Sequence, residues 1–205
     1  MKKRISAFCL LIIMCLMMSS CSIFKSDRKN VGKANDTVVK IAKIMDDKLI
    51  KNGRKNQSLY GAIMVFDNNL AGEISFVYTD KRPDNFKYND ILMATIDTKS
   101  SKITRLAAPS FKKDGKTPYE LIKKGYVLDI KNWPIDSNIA IKNALVQFNG
   151  DGEFSYDYVL ATATSDGSIC KYDIEFISLI EKTKYSCSVD VQSGNVYNIL
   201  KEDGI

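Results

Sequence analysis

The chain has 205 residues, no histidine, five cysteines and 30 Lys and Arg against 24 Asp and Glu, a formal charge of +6. The missing histidine removes the usual general base, the Ser-His and Cys-His pairs and the usual zinc ligand together. Without Lys2, Lys3 and Arg4, 27 basic residues face 24 acidic ones, and a surplus of +3 is too mild for a nucleic-acid binder, which concentrates its charge on one face.

In chain order, Met1 to Arg4 is a compact positive patch, followed from Ile5 to Met18 by an apolar run broken only by Ser6. That run is shorter than the roughly 20 residues a spanning helix needs, and it ends in Ser19-Ser20, the layout of a cleaved secretory signal over 1–20. The junction Met18-Ser19-Ser20-Cys21 resembles the bacterial lipoprotein signal, with Met18 in place of the commoner leucine. The resemblance implies that Cys21 is lipidated and becomes the first residue of the mature protein. The expected location is then the cell membrane, with the body lipid-anchored and facing out of the cytoplasm. Two acyl chains, such as palmitate, suffice for attachment at about 0.8 kcal/mol per buried methylene.

Residues 21–35 read as a tether carrying Lys25, Arg28, Lys29 and Lys33 against Asp27, with a reach of roughly 20 Å by coil scaling. The bland reading of that cluster is a solvated linker; the alternative is contact with anionic headgroups.

About 170 residues follow, enough for one ordinary domain or two small ones. Asn35-Asp36-Thr37 opens a helix whose apolar residues, Val38 to Ile50, keep one face buried up to Asn52-Gly53. Tyr60 to Phe66 and Glu73 to Tyr78 read as strands joined by Asp67-Asn68-Asn69. After a longer connection, Ala94 to Leu106 reads as strand, tight polar turn and short strand. Residues 107–134 form a connector with a short helix from Pro118 to Lys124, pinned by Tyr126 and Trp133. Asp136-Ser137-Asn138 then opens a second helix through Ile139, Ala140, Ile141, Ala144, Leu145 and Phe148, closed by Asn149-Gly150. Tyr156 to Thr164, Ser168 to Ile177 and Tyr185 to Val191 are the next strands.

An internal echo organises this list. Ile96-Asp97 falls on Val189-Asp190, Ser100-Ser101 on Ser193-Gly194, and Ile103 and Leu106 on Val196 and Ile199. Helix then strands, twice over, predicts an α+β fold in which each helix buries its stripe against an antiparallel sheet. The units are expected at 36–106 and 135–205. Trp133-Pro134-Ile135-Asp136-Ser137, the Ala140 and Ala144 helix and the closing Val189 to Val196 resemble a PepSY-type, cystatin-like unit, the first half being a more diverged copy. That resemblance implies a small domain without catalytic residues that restrains or assists a partner at the envelope.

Candidate chemistry is sparse. Asp97 and Asp190 read as acceptors for turn amides. Asn149 to Glu153 has some of the oxygen-rich character of a calcium loop without its distal Glu, so a helix end is the plainer reading. Phe154, Tyr156 and Tyr158 alternate along one strand, with Tyr172 on the next, as core packing or an exposed platform. Cys170 and Cys187 flank a hairpin and could form a disulfide or stay as buried thiols. No cofactor, metal or catalytic residue is expected. The leading expectation is a membrane-anchored, non-enzymatic lipoprotein that binds an envelope protein or peptide. The alternatives are a small-molecule or lipid binder with its ligand between helix and sheet, and an enzyme built on carboxylates or a Ser-Lys pair.

Overall fold

The computed structural model describes residues 37–54, 56–100, 102–109, 116–148 and 155–204, so the signal, Cys21, the tether, the 149–153 loop and Phe154 lie outside the described residues. Helix α1, Val38–Lys51, buries Val38, Val39, Ile41, Ala42, Met45 and Leu49, the single stripe its spacing demands. Its end is marked by amides of Asn52, Gly53 and Arg54 bonding back to Lys48, Ile50 and Leu49, with Gly53 at a φ of 74°. Helix α2, Lys116–Lys123, follows four strands, and helix α3 spans Ser137–Phe148.

Four strands belong to each half. The first half supplies β1 Ser58–Asp67, β2 Gly72–Thr79, β3 Leu92–Asp97 and β4 Lys102–Ala107. The second supplies β5 Tyr158–Ser165, β6 Cys170–Ser178, β7 Thr183–Asp190 and β8 Val196–Asp203. All are antiparallel and form one sheet in the order β4-β3-β2-β1-β5-β6-β7-β8. The halves therefore share a sheet, joined where β1 and β5 pair Ala62 with Ala163 and Met64 with Ala161. This is an α+β protein, as the helix-then-strands order predicts.

The echo is visible in the hydrogen bonds. Thr98 N donates to Gly72 O in the first half at 2.8 Å, and Val191 N to Cys170 O in the second at 3.1 Å, each tying the segment after one strand to the start of its neighbour. Both outermost strands also carry a register shift, at Thr95/Ile96 opposite β4 and at Ser186/Ser188 opposite β8. Bulges with nearby Lys102, Arg105 and Lys201 blunt an edge against strand addition.

The two faces of the sheet are covered differently. Helices α1 and α3 lie on one face over the main core, which contains Met45, Met64, Phe76, Tyr78, Tyr172, Ile174 and Phe176. Helix α2 covers the opposite face of the first half only, over Tyr60, Val77, Ile91 and Met93 through Leu121 and Ile122. Gly61 permits this approach, because a Cβ there would lie 2.7 Å from the Leu121 Cδ1 and 3.1 Å from the Ala163 carbonyl. The connector then runs back to the first face. Tyr126 lies over Gly167, Leu128 N bonds Leu59 O at 2.7 Å, and Trp133 meets Tyr172 edge-on at 5.2 Å.

One sequence expectation is corrected, and one pair of alternatives is decided. Strand β5 begins at Tyr158 and turns Val159 to the core, so Tyr156 and Tyr158 do not alternate along one strand face. Tyr156 precedes the strand and packs on Phe176 at 5.2 Å, while Tyr158 is half-buried opposite Ile177. The Cys170–Cys187 bridge is not formed; both thiols are free. Cys187 pairs with Ile174, four residues along β6 from Cys170, which places the cysteines about 13 Å apart along the strand with Tyr172 between, beyond disulfide reach.

Candidate functional site

Sequence reading treats the Asp36-Thr37 and Asp136-Ser137 starts as separate local caps; the structure brings the two helix starts together. Thr37 makes no side-chain cap for its own helix. Instead, Asp136 Oδ1 accepts Val39 N at 3.1 Å and Ser137 N at 2.7 Å, Ser137 Oγ accepts Val38 N at 3.3 Å, and the Thr37 hydroxyl donates to Asp136 Oδ2. One carboxylate thus serves the amino ends of two helices, where both macrodipoles favour negative charge. The only hint in the sequence is that each helix opens on Asp followed by a hydroxyl residue, which fits a local cap equally well.

The turn aspartates do what their positions suggest. Ser100 N bonds Asp97 Oδ1 at 2.6 Å, and Gln192 N, Ser193 N and the Ser193 hydroxyl all bond Asp190 Oδ1. The Ser193 amide, with the Ser193 hydroxyl and the Gln192 amide, holds the Asp190 carboxyl below the usual carboxylate range. Asp166, in the β5–β6 turn, is held down to about 2 by the Ile169 amide, then by the amide and hydroxyl of Ser168. Burial, with Asp173 nearby, pushes the Cys187 thiol up to about 12, in keeping with its place in the core.

Glu73 behaves oppositely. It stands directly across from Asp97 on β3, and burial followed by the Asp97 charge raises its pKa, against the Thr104 hydroxyl and Arg105. An acid whose folded pKa exceeds its unfolded value gives the folded state extra stability as pH falls through the folded pKa, complete below the unfolded one. Glu73→Gln should therefore stabilise the protein at neutral pH by about 0.5 to 1 kcal/mol, the scale of a like-charge cross-strand pair. Urea titrations at neutral pH and near pH 4 should show the advantage shrinking on acidification; a constant or growing one would refute the assignment.

Between the helical layer and the sheet, large side chains fill the space: Ile41, Met45, Phe76, Tyr78, Tyr172 and Phe176 are each at most 1 % exposed. The hydroxyls of Tyr78 and Tyr172 have no hydrogen-bond partner among the described residues, and each lies near a carboxylate, Asp46 and Asp136 respectively. Concavity lies elsewhere. An open groove of about 430 Å³ runs between α1 and the connector, with Ala42, Leu59, Leu128 and Ile130 among its apolar lining and Gln57, Ser58, Asp129 and Asn132 among its polar lining. A Lys131–Asp46 ion pair of 2.6 Å joins its two sides. The groove's accessible lining is mostly polar, because Ala42, Leu59, Leu128 and Ile130 are themselves buried, and Val127 is the apolar side chain that stands open to it. Sequence reading missed it, because Asp46 and Lys131 are 85 positions apart. Among the described residues no three His, Cys, Asp or Glu side chains gather as a metal site would require, and no helix is long and apolar enough to cross a membrane.

The architecture is that of an α+β protein in which two helix-and-four-strand halves share one antiparallel sheet. Among solved structures it is similar to a protein of Clostridium difficile 630 classed as a lipoprotein, at 15% identity and a TM-score of 0.54, over 86% of this chain and 100% of that one. At that identity the likeness is one of fold. No family model and no curated protein matches the chain.

Proposed function

We propose that the chain is a lipid-anchored lipoprotein of the cell envelope, and that its body works without catalysis, by holding a protein or peptide partner in the groove between α1 and the connector. The anchor reading rests on the signal-like leader and the Met18-Ser19-Ser20-Cys21 junction, and the fold shared with a protein classed as a lipoprotein is consistent with it. The observation that carries the binding reading is the contrast between a filled interior and an open, mostly polar groove beside the exposed Val127. A ligand between helix and sheet would have to displace Phe76, Tyr172 and Phe176, whereas an extended segment can enter the groove against Val127, Gln57 and Ser58. Addition of a strand at β4 or β8 is less favoured, since both carry bulges.

The test is a photo-crosslinking amino acid placed at Gln57 in the full chain in living cells, with the same group at Lys123 on α2 as control. A discrete adduct to one envelope protein from Gln57 alone is the expected result. No adduct above the Lys123 control would overturn the groove, and an unmodified Cys21 by intact mass would overturn the anchor. A hydrolytic activity abolished by one Asp or Ser substitution would overturn the non-catalytic reading.

A further inference from the structure

The outward side of the helical layer brings exposed basic and aliphatic side chains together. On α1 and the turn after it, Lys40, Lys43, Asp47, Ile50, Lys51 and Arg54 are exposed, four basic groups against one acid along one side of the helix. On α3 the exposed residues include Ile139, Lys142 and Val146, and the helix sequence has no acidic residue at all. Three large apolar side chains therefore stand in water on this layer, Ile50 at 56 %, Ile139 at 43 % and Val146 at 63 % exposure, each beside a lysine. Lys43, Lys51, Arg54 and Lys142 make no ion pair among the described residues. On the uncovered face of the sheet, by contrast, lysines are matched to acids: Lys171 to Asp173 at 2.9 Å, and Lys184 to Glu175 at 3.7 Å and Glu202 at 3.2 Å.

We infer that the outward faces of α1 and α3 rest on an anionic lipid surface. Basic residues interleaved with exposed aliphatic ones are the pattern of helices lying in a membrane interface, where the aliphatic tips enter the headgroup boundary and the cations remain among the phosphates. Position supports the same occupant. α1 is the first described element after the 21–35 stretch, itself basic in sequence, so a chain held at Cys21 brings α1 closer to its anchor point along the chain than any other helix. The sheet's other face, with its balanced charges, would then point away from the membrane. The inference rests on the anchor reading for its setting, while the surface itself is independent of that reading.

The full chain is reconstituted into vesicles of phosphatidylcholine alone, or of equal parts phosphatidylcholine and phosphatidylglycerol. It is then treated with a membrane-impermeant amine-acylating reagent, and labelling is quantified lysine by lysine. Lys43, Lys51 and Lys142 should react about fivefold more slowly on the anionic vesicles, a shift of the size one basic contact with such a surface supports. Lys102 and Lys123 should be unchanged, and high salt should erase the difference. A triple substitution K43E/K51E/R54E should remove the protection at Lys142. Equal labelling on the two lipids, or protection of Lys102 and Lys123 instead, overturns the inference. Intact mass at Cys21 in the same sample separates the two readings: protection with an unmodified thiol defeats only the anchor, and a lipidated Cys21 without protection defeats only the docking surface.

Discussion

Asp136→Ala should lower the unfolding free energy by about 3 kcal/mol, more than twice the typical loss of about 1 kcal/mol for a helix cap. The reason is that the substitution uncaps two helices at once. Val39 N and Ser137 N both lose their acceptor, the Thr37 hydroxyl loses its partner, and two macrodipole ends are left facing each other without the charge between them. Asp136→Asn keeps an oxygen in place and removes the charge, so it should lose roughly half as much. Thr37→Val removes one donor and should lose about 1 kcal/mol. Urea unfolding of the three variants orders them; a loss for Asp136→Ala no larger than that for Thr37→Val would mean the carboxylate serves one helix only.

Trp133→Ala should destabilise by about 4 kcal/mol, the usual cost of removing a buried Trp side chain. Trp133 is 7 % exposed and stands edge-on to Tyr172, just before the chain enters α3 through Ile135, whose amide bonds Val191 O at 3.2 Å. It holds the end of the connector, so its loss should loosen the groove lined by Val127 to Asn132 as well as the core. The expected signature is a drop in unfolding midpoint accompanied by loss of the adduct from a crosslinker at Gln57. Because Trp133 is the chain's one tryptophan, native fluorescence reports the docking of this segment in every other variant. A loss of unfolding free energy near 1 kcal/mol or less would show that the surrounding core collapses into the space.

The elements were largely legible because their signals are local. The apolar stripe from Val38 to Leu49 and the stop at Asn52-Gly53 locate α1 within a residue or two, and the echo between Ile96-Asp97 and Val189-Asp190 marks the same turn in both halves. Errors arose where the signal was short. Tyr156, Tyr158 and Tyr172 look alike in composition, yet the strand begins at Tyr158, so alternation sets Tyr158 on the face opposite the core-facing Val159 while Tyr156 lies before the strand and follows no such alternation. For Cys170 and Cys187 the sequence left bridge and free thiols open, a hairpin turn near Glu181-Lys182 already setting them out of opposition, and the pairing of Cys187 with Ile174 fixes the distance. The groove had no sequence signature, because its two walls come from α1 and from residues 127–132.

From the sequence alone came the α+β class, the two-fold order of helix and strands, the lack of any histidine-based site and the leader-like start ending at Cys21. Only the tertiary structure decided that β1 and β5 fuse the halves into one sheet, that Asp136 caps the helix of the other half, and that the basic and aliphatic sides of α1 and α3 lie on a common layer. The physical reason is range. Hydrophobic period, turn chemistry and export signals act between neighbours along the chain, whereas strand pairing, shared caps and surface patches depend on contacts between residues about a hundred positions apart, whose partners no local pattern names.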